Sequence, residues 1–142
     1  MCRNETNIQE VIQTESFVIK EKLPSLNDVI AKNRANRYVG AKFKADIEKI
    51  ISVYINNALK KGEIHKQEKP CWIAIEWREK TRRRDVDNIQ SSTKFILDSL
   101  VKNNVLIDDS RKYVVNVVHL IVPAKENSVK VTFCNEVEMI IK

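Results

Sequence analysis

The chain has 142 residues, 43% of them hydrophobic and 31% charged, with a net charge of +6 and an isoelectric point near 9.3. That length fits one domain with its own core, and the positive balance favours a polyanionic partner, nucleic acid before membrane surface. No apolar run approaches the ~18 residues that span a bilayer, Cys2, Cys71 and Cys134 form no zinc or disulfide pattern, and Gly40 and Gly62 alone cannot build a glycine-rich nucleotide loop.

Residues 1–14 show no period and read as a leader. Their polar start, Met1-Cys2-Arg3-Asn4-Glu5, lacks a signal-peptide core, so the expected location is cytoplasmic. Phe17 and Ile19 alternate with Val18 and Lys20 up to Pro24, which predicts a strand over 15–22. Ser25 or Asn27 can cap a helix that starts near Asp28 and carries Lys32, Arg34 and Arg37. Phe43, Ile47, Ile50, Ile51, Tyr54 and Leu59 fall close to a 3.6-residue period, predicting a helix buried on one side. Lys60, Lys61 and Gly62 end it, with cations in the last turn and a glycine suited to a left-handed cap.

After a polar loop ending at Pro70, Cys71, Ile73, Ile75 and Trp77 occupy one face of a strand, and Trp72, Ala74, Glu76 and Arg78 the other. Asp87 is placed to cap a helix over about 88–102, whose apolar side is Ile89, Phe95, Ile96, Leu100 and Val101. Tyr113 to Val122 is nearly all apolar and reads as a central strand covered on both faces. Val129, Val131 and Phe133 alternate with Lys130 and Thr132 in a last strand, expected to pair with its predecessor as a hairpin, and Val137, Met139 and Ile141 continue it or add an edge strand. The expected fold is therefore a single α/β (α+β) domain, one mixed sheet with helices packed on it, in the order β-α-α-β-α-β-β. The crossover through 71–122 is expected to be parallel.

Five of the seven aspartates, Asp85, Asp87, Asp98, Asp108 and Asp109, lie in one stretch, and no glutamate occurs between Glu79 and Glu126. Short carboxylates suit a hard cation such as Mg2+, and Arg82, Arg83 and Arg84 just upstream suit a phosphate backbone. Metal beside phosphate is nuclease chemistry: the ion polarises a phosphoryl oxygen and acidifies a bound water. Each feature also has a plainer reading. Asp87 can merely cap a helix, Asp85 can pair with Arg82 or Arg83, Asp108-Asp109 can be a turn, and Lys94 and Asp98 can be a surface pair worth ~0.3 kcal/mol. A helix of about 15 residues is roughly 22 Å long, so Asp109 meets Asp85 and Asp87 only if residues 104–109 double back.

Arg-Arg-Arg-Asp-Val-Asp-Asn at 82–88, Lys-Phe-Ile-Leu-Asp-Ser-Leu at 94–100 and Val-Leu-Ile-Asp-Asp at 105–109 resemble the RusA family of Holliday-junction resolvases. Leu23-Pro24-Ser25-Leu26-Asn27 is similar to the start of that family's domain, so the likeness spans roughly 16–134 and marks 15–142 as a RusA-like endonuclease domain. It implies a homodimeric, Mg2+-dependent endonuclease, with Mn2+ as substitute, of phage or prophage origin. The activity implied is symmetric hydrolysis of phosphodiesters in four-way DNA junctions during recombination and repair, without nucleotide cofactor or membrane. Asp85, Asp87 and Asp109 match its metal ligands. Its catalytic lysine usually falls four residues after the second aspartate, where this chain has Ser91; Lys94, seven after Asp87 and four before Asp98, is the expected counterpart. Arg82, Arg83, Arg84, Lys32, Arg34 and Arg37 are the expected DNA contacts. The alternative is a catalytically weak or inactive protein that binds branched DNA.

Overall fold

Residues 14–134 are described by the computed structural model. All of the expected leader but Thr14, and the expected continuation through Val137, Met139 and Ile141, lie outside that range. The elements are β1 (Thr14–Ile19), α1 (Leu26–Ala35), α2 (Arg37–Lys60), β2 (Cys71–Glu79), α3 (Val86–Gln90), α4 (Thr93–Lys102), β3 (Val114–Pro123) and β4 (Ser128–Cys134). One mixed sheet runs in the order β1-β4-β2-β3. The chain thus forms the expected α/β (α+β) domain with the order β-α-α-β-α-β-β, its third helical region divided into α3 and α4.

Local chemistry sets most boundaries. Ser25 starts α1 through a capping box: its hydroxyl accepts from the Asp28 amide, and the Asp28 carboxylate accepts from the Ser25 amide. Only Asn36, in extended backbone, separates the two long helices, and its side chain accepts from the Val39 amide to start α2. Arg37, expected on the first of these helices, therefore opens the second. Gly62 takes the left-handed conformation at φ 72°, and the amides of Gly62 and Glu63 return to the carbonyls of Leu59 and Ala58.

The strands bury one face. Cys71, Ile73, Ile75 and Trp77 of β2 and Val129, Val131 and Phe133 of β4 are buried with Ile51 and Ile55 of α2 and Ile96 and Leu100 of α4. Trp72, Ala74, Glu76 and Arg78 are half-buried on the opposite face, as strand alternation requires. β2 and β3 pair in parallel across the helical crossover, as expected.

Two expectations about β3 fail. Among the described residues it lies at the sheet edge and pairs with β2 alone, and Val115, Leu120 and Ile121 are exposed. Nor do β3 and β4 form a hairpin. β4 lies antiparallel between β1 and β2, so the turn after Pro123 crosses the end of β2. That crossing is tied down by the Ala124 amide on the Glu79 carbonyl and the Lys80 amide on Asn127 Oδ1. Apolar content alone cannot distinguish a strand covered on both faces from an edge strand.

Trp77 Nε1 donates to His119 Nδ1 at 3.0 Å with the two rings stacked. An accepting Nδ1 requires the neutral ring, and burial lowers the His119 pKa below the usual histidine value. Because the folded value lies below the unfolded one, this stabilisation is complete above pH ~6.5 and is lost as pH falls through the folded value. Thermal unfolding should therefore show the melting temperature dropping from about pH 7 to about pH 5 more steeply in the parent than in His119→Gln.

Candidate active site

The loop after β2 presents the arginine triplet and the first two aspartates. Arg84 turns inward: Nε and Nη2 donate to the two Glu79 carboxylate oxygens at 3.0 and 2.7 Å, and Nη1 donates to the Leu23 carbonyl at 2.8 Å. Both side chains are close to fully buried. This fork pins the start of the loop to the end of β2 and to the segment before α1. Arg82 and Arg83 are exposed, as are Lys32, Arg34 and Arg37; the Lys32 ammonium lies 5.9 Å over the Phe43 ring.

Asp85 occupies the N-cap position of α3, but its side chain makes no capping bond. Asp87, expected to be the cap, is the second residue of the helix, where its Oδ1 accepts from the Asn88 amide and its charge complements the helix N-terminus. Both carboxylates are exposed, and neither has an ion pair among the described residues.

The helix expected to run unbroken to residue 102 is interrupted at Ser91 and Ser92. Ser91 Oγ donates to the Asn88 carbonyl, and the buried Ser92 Oγ donates to the Pro24 carbonyl at 2.6 Å. The Ser92 carbonyl then accepts from the amides of Phe95 and Ile96 as α4 begins. Hydroxyls that bond to backbone compete with the helical ladder. The extra residues between Asp87 and Lys94 are thus absorbed as a break, and Lys94 falls in the first turn of a new helix.

Past α4 the chain does double back. Asn104 takes a positive φ of 61°, the amides of Val105 and Leu106 return to the Leu100 carbonyl, and Val105 and Leu106 are buried. The result brings Asp109 alongside the first turn of α4, where Lys94 Nζ donates to its Oδ2 at 3.2 Å. The same ammonium sits 3.2 Å from Asp98 Oδ1. Hydrogen bonds to Asp98 first and Asp109 second raise the Lys94 pKa above the ordinary lysine value, so the ammonium form is reinforced.

Behind this pair lies a line of alternating charges that sequence reasoning did not find. Asp98 Oδ2 is 3.3 Å from Lys44 Nζ, Lys44 is 3.8 Å from Glu48 Oε2, and Lys102 Nζ donates to Glu48 Oε1 at 2.7 Å. Glu48 is buried, and its Oε2 has no hydrogen-bond partner among the described residues. These groups line a groove of about 560 Å³ between α2 and α4, with Asp108 and Asp109 at one side. The available signal was weak: Lys44 and Glu48 stand four apart on the helix, as do Lys42 and Asp46, an exposed pair.

Of the four expected catalytic residues, Lys94 and Asp109 are in contact. Asp85, Asp87 and Asp109 are suited in kind to a hard divalent cation, being all carboxylates. Among the described residues, no three His, Cys, Asp or Glu side chains stand together as a group that could hold a metal ion, and Asp109 is engaged by Lys94; Mg2+ is commonly held by one or two carboxylates with water and phosphate oxygens.

No helix among the described residues is long and apolar enough to cross a membrane. No curated protein matches the chain. The sequence model described as Endodeoxyribonuclease RusA matches residues 5–133, which include the arginine triplet, every aspartate discussed above and Lys94. By that match the chain belongs to the RusA endodeoxyribonuclease family.

Proposed function

We propose that the protein is a structure-specific endonuclease that resolves four-way DNA junctions by symmetric phosphodiester hydrolysis, in recombination and repair in a bacterial cell and encoded by a phage or prophage. The observation that carries this reading is the Lys94–Asp109 contact, within a chain whose family is endonucleolytic. It joins a cation suited to a phosphate with a carboxylate suited to a metal. Asp85, Asp87 and Asp109 are the residues that would hold Mg2+, or Mn2+ in its place, and such an ion supplies an acidified water and a polarised phosphoryl oxygen. Lys94 supplies a second positive charge to the scissile phosphate. Two symmetric cuts need two sites, and a homodimer provides them.

Arg82 and Arg83, with Lys32, Arg34 and Arg37, would track the DNA backbones; Arg84 holds the loop instead. Such binding weakens steeply with salt. Junction affinity should fall by about three orders of magnitude between about 50 and about 200 mM salt. In Arg82→Ala/Arg83→Ala the slope of log affinity against log salt should be shallower by about two. A parent affinity that is flat with salt would remove the backbone-tracking role.

The direct test incubates an end-labelled four-way junction with the protein and Mg2+. Paired nicks placed symmetrically across the branch support the reading. A protein that binds the junction yet yields no product is the second reading, a non-catalytic branched-DNA binder, which the lack of an assembled carboxylate group favours.

A further inference from the structure

We propose that Asp98 is a positioning residue that fixes the Lys94 ammonium at the mouth of the groove between α2 and α4, independently of Asp109. This deepens the nuclease reading and rests on it. Asp98 sits one helical turn after Lys94, and its two oxygens face two lysines: Oδ1 is 3.2 Å from Lys94 and Oδ2 is 3.3 Å from Lys44. Its side chain is only 20% exposed, whereas that of Lys94 is 67% exposed. The better-fixed partner therefore sets the place of the more mobile one.

What fixes Asp98 is the second lysine. Lys44 belongs to α2, a different element, and leans towards Asp98 at 3.3 Å rather than towards Glu48 at 3.8 Å. Glu48 is held in turn by Lys102 of α4 at 2.7 Å. The line Lys102, Glu48, Lys44, Asp98, Lys94 thus crosses twice between the two helices. An isolated pair on one helix is worth little; a line anchored on a buried carboxylate and two helices fixes a direction.

The geometry also explains why a second holder is needed. Asp109 is the other partner of Lys94 and is half-buried on the loop after α4. As a candidate metal ligand it cannot serve both roles. If Asp109 releases the ammonium, Asp98 keeps Lys94 at the groove.

The test uses the full chain with Asp98→Asn and Asp98→Glu. Three quantities are read: single-turnover cleavage of a four-way junction with Mg2+, junction affinity without Mg2+, and the acetylation rate of Lys94 relative to the exposed Lys69 and Lys80, mapped by mass spectrometry without metal or DNA. Displacing a reacting group by about 1 Å costs on the order of 100-fold. Asp98→Asn should cut about 10- to 100-fold more slowly, bind the junction within about twofold of the parent, and acetylate at Lys94 several-fold faster. Asp98→Glu, which keeps the charge, should recover most of the rate and of the protection.

Lys94 labelling in Asp98→Asn equal to that of the parent would overturn the proposal, as would faster labelling with undiminished cleavage. Loss of junction affinity in step with cleavage would also overturn it, by showing that Asp98 supports the binding surface as a whole. If Asp98→Asn does not fold, Lys44→Gln decides in its place: it removes the cation 3.3 Å from Asp98, so Lys94 labelling should rise and cleavage should slow, and parental values for both would overturn the proposal. If the parent leaves the junction intact, the nuclease reading falls, and the labelling ratio still determines whether Asp98 holds Lys94.

Discussion

Asp87→Asn should abolish junction cleavage while leaving junction binding intact or tighter. The substitution keeps the size of the side chain and leaves an oxygen to accept from the Asn88 amide, the one hydrogen bond the Asp87 side chain makes among the described residues. Asp87 is exposed on a short helix and contributes nothing to the core, so folding is unaffected beyond the loss of a first-turn charge, worth about 0.3–1 kcal/mol. If the carboxylate is a metal ligand, its removal takes away several kcal/mol of transition-state stabilisation, a rate loss of about a thousandfold. Affinity moves the other way, since one negative charge beside the DNA backbone is gone. Gel-shift and single-turnover cleavage on the same labelled junction measure both. Cleavage by Asp87→Asn within tenfold of the parent would remove Asp87 from the chemistry.

The same separation of effects is expected at Asp85, with one difference. As an N-cap residue whose side chain makes no capping bond, Asp85 has even less of a structural role, so any large loss there also has to come from the reaction. The two aspartates are therefore cleaner probes than Asp109, which is tied to Lys94. Substitution at Asp109 both removes a candidate ligand and frees the lysine.

What the sequence made legible was whatever repeats locally. Ile73 and Ile75 alternate with Trp72 and Ala74, and the strand is buried on that alternate face. Gly62 follows two lysines at a helix end and takes the left-handed conformation there. What stayed hidden depends on partners far along the chain. Arg84 reads as one of three equivalent arginines until the Glu79 carboxylate and the Leu23 carbonyl, 61 residues away, are placed against it. Ser92 ends a helix through the Pro24 carbonyl, 68 residues away. Glu48 looks like a surface residue of an amphipathic helix until Lys102, 54 residues on, is placed against it. The position of β3 at the sheet edge is a property of strand order, which composition does not encode. For the site, residue types and the return of the chain after α4 could be anticipated. The contact between Lys94 and Asp109 could not, because it depends on how the break at Ser91 and Ser92 aims the new helix.

Arg84→Ala should produce the largest loss of stability among the loop variants, and the reason separates it from its two neighbours. Its guanidinium is almost enclosed, donates to both oxygens of Glu79 and reaches the Leu23 carbonyl. Removing it leaves the Glu79 carboxylate buried without its cation, which costs about 3–5 kcal/mol, or a drop in melting temperature of about 10 °C for a domain of this size. Arg82→Ala and Arg83→Ala, at exposed positions, should change it by no more than about 2 °C. Arg84→Lys should not rescue the loss, since an ammonium cannot span two carboxylate oxygens and a carbonyl in one plane. Arg84→Ala/Glu79→Leu should be more stable than Arg84→Ala alone, because it removes the stranded charge. Thermal unfolding of the parent and these five variants at one pH and salt concentration measures all of this. The functional consequence follows from position. Asp85 is the next residue after Arg84, so a loosened fork frees the segment that carries the first two aspartates. Cleavage by Arg84→Ala should then fall even well below its melting temperature, while the salt slope of junction binding stays that of the parent. A slope shallower by one, with unchanged stability, would instead make Arg84 a backbone contact like its neighbours.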